Sequence, residues 1–198
     1  MAGVLPKIAL KKIGVMAAAL CICTGAFFAW WTVQWTDARL RQSLLQQATI
    51  MARAINPEHV TALSGSPADL DQPCYQRLKQ QLAAMRQADD RYRFLYLMGR
   101  AGDGRIFFFV DNEPISSGCY SGPGDLYGDG SEQLTTAFDD ACAFVEGPLR
   151  DDWGMRVSAL VPIANPRTGK VLAVFGLDVD AREWRWEVAA RAALPVGL

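Results

Sequence analysis

Apolar and polar positions alternate most cleanly between Trp153 and Asp180, WGMRVSALVPIANPRTGKVLAVFGLDVD. Met155, Val157, Ala159, Val161 and Ile163 fall on one face of an extended segment. Lys170–Val179 is rich in Val, Leu and Phe, as a strand covered on both faces is. Asn-Pro-Arg-Thr-Gly joins the two as a turn, with a proline to fix φ and a glycine for a positive φ. The second strand delivers Asp178 and Asp180 where its apolar run stops. Upstream, Tyr92–Arg100 and Arg105–Asp111 read as two more strands around the turn Gly102-Asp103-Gly104. Five consecutive apolar residues, Ile106–Val110, require cover on both faces of the second.

Helical spacing governs the first half. Leu40, Leu44, Ala48, Met51, Ala52 and Ile55 recur on one side of a helix over Thr36–Ile55. That stripe either packs on its own domain or also forms a parallel seam with a second copy. Asn56-Pro57 ends the helix, and Pro57 opens a short helical piece to Leu63. Pro73 opens another through about Ala88, with Tyr75, Leu78, Leu82 and Met85 on its apolar side. From Asn112 to Asp152 the pattern dissolves into a long Gly- and Pro-marked connection, with one helix expected at Glu132–Ala143. So long a connection is usually functional, and Tyr120, Tyr127, Glu146 and Trp153 suit the lining of a small-molecule pocket. A last helix follows Asp180, carrying Trp184 and Trp186 and running through Leu194.

Ile13–Val33 is uncharged and long enough to cross a bilayer as a helix. Lys7, Lys11 and Lys12 precede it and Trp30, Trp31 and Trp35 crowd its far end, which places the N-terminus in the cytoplasm and the rest outside. A cleaved signal peptide would show a shorter apolar region and an A-x-A-like site, and neither is present. Composition agrees, at 51% hydrophobic residues. Residues 37–198 hold seventeen basic and twenty-one acidic residues, a net of −4 without a basic tract, which argues against nucleic acid as a partner. His59, the single histidine, reads as a surface or boundary residue. No cysteine spacing fits a zinc site and no cofactor is expected.

The motifs VDNEP (Val110–Pro114), SGPGDLY (Ser121–Tyr127), VEGPLRDDWGMRVSALVPI (Val145–Ile163) and AVFGLDVDAREW (Ala173–Trp184) resemble PAS-like periplasmic sensors of the Cache group. Such domains are the input regions of bacterial sensor histidine kinases and diguanylate cyclases. Coverage is roughly residues 35–187. The resemblance implies an α+β architecture, a long membrane helix leading into a central antiparallel sheet of about five strands flanked by helices. It divides the chain into a cytoplasmic stretch (1–12), a transmembrane helix (13–33), a membrane-proximal signalling helix (34–56), the sensor (57–180) and a helix toward a second crossing (181–198). It further implies a periplasmic sensor on the bacterial inner membrane, dimeric through Thr36–Ile55 and responsive to a small molecule. No kinase signature, GGDEF motif or complete second crossing lies in the sequence. A fragment of a sensor kinase or cyclase is therefore one alternative.

In Cache domains the aspartate of the last strand often contacts a ligand amine, and Asp178 matches that position. Asp111 and Asp178 are expected at the ends of neighbouring core strands, and each buried carboxylate needs a donor. A ligand ammonium, Arg156 or a backbone N–H could serve. Tyr120, Tyr127 and Trp153 complete the candidate ligand site. Cys74, Cys119 and Cys142 fall on the oxidising side, and Cys119–Cys142 is the preferred pair for a disulfide across the long connection. Two other classes compete with sensing. An extracytoplasmic hydrolase would use Asp111, Glu113, Asp151, Asp152 or Asp178 but lacks a nucleophile–base pair. A membrane-anchored interaction protein would dimerise through residues 34–55 and have a filled pocket.

Overall fold

The computed structural model describes residues 7–128, 130–151 and 153–193. Its elements are α1 (Lys7–Arg53), α2 (Pro57–Thr61), α3 (Pro73–Arg86), β1 (Tyr92–Arg100), β2 (Ile106–Asp111), α4 (Glu132–Asp140), β3 (Phe144–Asp151), β4 (Gly154–Ala164), β5 (Val171–Asp180) and α5 (Ala181–Ala193). A 3-10 turn at Pro67–Asp71, not foreseen from the sequence, precedes α3. The chain divides into two units, with boundaries at Leu40/Arg41 and Trp186/Glu187.

In the first unit, α1 carries an exposed apolar surface that includes Ile13, Met16, Leu20, Phe27, Trp30 and Trp31. Water penalises such a surface and a bilayer satisfies it. Among the described residues α1 is the one helix long and apolar enough to cross a membrane. Just past its apolar stretch the Arg39 guanidinium lies 3.7 Å from the Trp35 ring centroid.

The second unit is built on one antiparallel sheet in the order β2-β1-β5-β4-β3. This order corrects one expectation: β2 and β5 are not neighbours, because β1 runs between them. Asp111 pairs with Tyr96 on β1, and Asp178 pairs with Phe94 two residues earlier. Residues two apart on a strand share a face, so both carboxylates emerge on the same side of the sheet, one row apart. On that side, Phe94, Tyr96, Met98, Phe108, Leu160 and Val174 pack with Leu134, Ala137 and Phe138 of α4 into one apolar cluster. Alternation sends Leu95, Leu97, Phe175 and Leu177, all fully buried, to the opposite face. Helix α3 lies against β1 and β2 with Tyr75, Leu78 and Leu82 fully buried. The α1 stripe is spent on this fold: Leu44, Ala48, Ala52 and Ile55 are buried, while Gln42, Ser43, Gln46, Ile50 and Arg53 are exposed.

The long connection uses part of its length as an extra edge. Gly124 N–H donates to Phe108 O, Phe108 N–H to Asp125 O and Tyr127 N–H to Ile106 O. The segment thus covers the outer side of β2 and seats Tyr127 over the sheet. Glu146-Gly147-Pro148, a sequence with turn character, lies within a strand, β3. The β3–β4 register shifts between Glu146 and Leu149, and an edge strand tolerates the proline at such a bulge. Gly147 takes φ +98° there, and a Cβ on it would meet Arg156 O at 2.4 Å.

Gly176 sets the floor of the sheet beneath the Tyr96 ring. A Cβ at this position would stand 2.1 Å from Tyr96 Cε2. Gly176→Ala therefore forces the ring off the sheet, and overpacking of this kind costs about 1–3 kcal/mol. A urea titration should show a lower midpoint with an unchanged slope. An unchanged midpoint would mean that the ring does not need this glycine.

Candidate functional site

Asp178 stands on β5 with only 1% of its surface exposed. Tyr96 donates its hydroxyl to Asp178 Oδ1 at 3.0 Å, and Arg156 Nε lies 2.9 Å from Oδ2. Strand register supplies these neighbours: Phe94, Asp178, Ser158 and Glu146 form one row across β1, β5, β4 and β3. Burial pushes the Asp178 carboxyl above its usual range, and the Arg156 charge and the Ser158 and Tyr96 hydroxyls pull it back down. Burial beside Asp178 also holds the Tyr96 hydroxyl well above the ordinary tyrosine range.

Asp111 is the second buried carboxylate. Lys79 Nζ donates to its Oδ1 at 2.9 Å and also to Glu113 O, while Ser121 N–H donates to Oδ2 at 2.8 Å. Lys79 sits 4.4 Å from the Tyr120 ring centroid, and the Tyr120 and Tyr75 hydroxyls meet at 3.1 Å. These contacts pin the long connection to α3. Burial raises the Asp111 carboxyl, opposed first by the Lys79 bond.

Between the carboxylates lies a cavity lined by Phe94, Tyr96, Phe108, Asp111, Cys119, Ser121, Tyr127, Trp153, Arg156 and Asp178. Its free volume is about 20 Å³, close to the room of one ordered water. The aromatic walls brace one another. Phe108 meets Tyr96, Tyr127 and Trp153 edge-on at centroid distances of 5.6, 5.7 and 5.8 Å, and Trp153 stacks on Tyr127 at 6.2 Å. Such pairs contribute about 0.5–1.5 kcal/mol each beyond burial and fix the shape of the walls.

Five of the six expected ligand residues meet in this cavity: Asp178, Asp111, Tyr127, Trp153 and Arg156. Tyr120 does not, since its hydroxyl is turned to Tyr75. Glu146 stays outside the lining, in the Asp178 row. Phe94, Tyr96 and Phe108 line it without having been singled out, although β-strand alternation from Asp111 and Asp178 leads to them. Cys119 lines the cavity and Cys142 is exposed beyond α4; both are free thiols, so the expected Cys119–Cys142 bond is not formed. Asp152 and Leu194 lie outside the described residues.

Chemically, the cavity offers two acceptors for positive charge inside an aromatic wall, the combination that suits an organic cation. The lining pairs neither Cys119 nor Ser121 with a histidine. Among the described residues no group of three or more His, Cys, Asp or Glu could hold a metal ion.

No protein-family model matches the chain, and no curated protein does. Among solved structures, an extracellular ligand-binding receptor from Desulfohalobium retbaense DSM5692 aligns at a TM-score of 0.56 and 10% identity over 82% of this chain. The fold is PAS-like, of the Cache type. The chain spans 27% of that receptor's length. The ligand-binding domain of the Campylobacter jejuni chemoreceptor Tlp3 aligns more loosely. Its complex with L-valine gives a TM-score of 0.39 at 13% identity, covering 80% of this chain and 66% of that one. Its complex with 4-methylisoleucine gives 0.41 at 15%, covering 79% and 63%.

Asp178 titrates with its folded value above the ordinary carboxylate value of 3.8. The folded chain then binds the extra proton, so this group's contribution to stability is full below pH 3.8 and declines as pH rises through the folded value. Asp178→Asn lacks this decline. The stability of wild type relative to Asp178→Asn should fall from pH 4 upward in urea titrations, and a difference that rises with pH would reverse the assignment.

Proposed function

We propose that this chain is the extracytoplasmic input part of a bacterial signal-transduction protein, held in the inner membrane by α1 with residues 1–12 in the cytoplasm. Residues 13–33 cross the bilayer, 34–56 carry the signal, 57–180 form the sensor and 181–198 lead toward a second crossing. The pocket takes a small molecule bearing an amine. One observation carries this reading: two buried carboxylates line a half-open cavity with aromatic walls. A purely structural core gains nothing from burying two charges, because apolar residues of equal volume are often as stable or more so. The exposed apolar surface of α1 supports the membrane placement. The Cache fold supports sensing, and the amino acids bound in the Tlp3 complexes are the ligand class to try first.

The ligand acts by population shift: it stabilises one arrangement of the Trp153 hairpin and the segment 119–127 over the others. The output module is a kinase or diguanylate cyclase, on this chain or on a partner. Dimerisation uses the outward face of α1, Gln42, Ser43, Gln46, Ile50 and Arg53, because the apolar stripe is already buried.

The full chain in lipid nanodiscs, melted against amino acids, amines and small carboxylates, tests the reading. A ligand of the folded state raises Tm by an amount set by its concentration over Kd, equivalent to about 2.7 kcal/mol at a hundredfold excess. An amine-bearing compound should raise Tm saturably in wild type and not in Asp178→Asn. A panel without any hit, or a hit indifferent to Asp178→Asn, would remove the amine site from this pocket.

A further inference from the structure

The cavity already contains an organic cation, and it belongs to the chain. Arg156 is buried to 7% exposure, with its charge 2.9 Å from Asp178. Its guanidinium carbon lies 5.4 Å from the Phe94 ring centroid and 5.4 Å from that of Trp153. A carboxylate below and two aromatic faces beside it are what a cage offers a ligand cation. With Arg156 in place about 20 Å³ is left, too little for any amino acid or amine larger than a water.

We propose that Arg156 is a tethered occupant of the ligand's cation subsite, and that a ligand ammonium or guanidinium group binds by displacing it from Asp178. This rests on the reading of the pocket as a ligand site and adds what fills its cation subsite before ligand arrives. Lys79 does not serve the same purpose at Asp111, since it lies outside the lining and is also held by Glu113 O and the Tyr120 face. The register gives displaced Arg156 somewhere to go. Its direct partner on β5 is Asp180, on the same face as Asp178 and half-exposed. Asp180 Oδ1 accepts from the N–H groups of Arg182 and Glu183 and so caps the start of α5. The side chain exchanges a buried carboxylate for one at the α5 cap. Binding in the pocket is thereby read out at the helix that leaves the sheet.

The test uses the full chain in nanodiscs, with methylguanidinium chloride as the probe and sodium chloride at equal ionic strength as the reference. Arg156→Ala removes the tethered guanidinium and leaves its cage. Its thermal shift should half-saturate at a concentration at least about tenfold lower than wild type's, a difference of 1.4 kcal/mol. Adding Asp178→Asn should abolish the gain. Arg156→Met keeps the apolar stem packed while removing the charge, and it decides the same comparison if Arg156→Ala does not fold. Equal responses in wild type and variant, or a gain that survives Asp178→Asn, would overturn the proposal. If wild type still answers an amine through Asp178 while the Arg156 variants gain nothing, the sensing site stands and the tethered occupant falls. If the variants gain while no amine acts on wild type, Arg156 fills the subsite without being displaced, and both the exchange and the amine reading fall.

Discussion

One buried charge organises this domain. The Asp178 carboxylate sits in the middle of a five-stranded sheet, where leaving it unpaired costs several kcal/mol. The chain arranges three strands around it. β1 brings Tyr96, whose ring lies flat because β5 has glycine at position 176. β4 brings Ser158 in register and Arg156 two residues earlier. β3 brings Glu146 to the same row, and its bulge lets the edge strand pass Gly147 close to the Arg156 carbonyl. Each of these placements is a matter of strand register, and a slip of one residue would turn the whole set to the opposite face.

The aromatic wall follows from the same requirement. Phe108, Tyr127 and Trp153 come from β2, the connection and the β3–β4 turn; Phe108 meets the other two edge to face, and Trp153 stacks on Tyr127. They shield Asp178 from bulk water and thereby strengthen its attraction for any cation that reaches it. Lys79, Ser121 and Glu113 do the corresponding work at the other end, where they fix Asp111 and the connection to α3. One end is thus pinned by the Lys79 ion pair and the Ser121 backbone N–H, and the other by Arg156 and the Tyr96 hydroxyl.

Much of the fold was legible in the sequence. The bounds of β1 coincide with the apolar run, and β2, β4, β5 and α3 differ by one or two residues, because period-2 and helical spacing are read directly from side chains. β3 was not legible. Its Gly-Pro reads as a turn, and only the bulge and the edge position explain its place in a strand. Of the site, Asp178, Asp111, Tyr127, Trp153 and Arg156 could be named because a charge or large ring near a strand end is conspicuous. Tyr96 and Phe94 were hidden inside an apolar run, and their role appears only when strand order places β1 between the two carboxylates. Tyr120 was misplaced for the converse reason: sequence shows a tyrosine in the connection, not the hydroxyl of Tyr75 waiting for it.

Exchange of ligand for Arg156 in the Asp178 pocket would be visible in a crystal structure of the chain with a bound amine. Ligand density should lie among Tyr96, Phe108, Tyr127 and Trp153, with the ligand nitrogen on Asp178 and Arg156 turned to Asp180. Ligand bound elsewhere, or in this pocket with Arg156 still on Asp178, would contradict it.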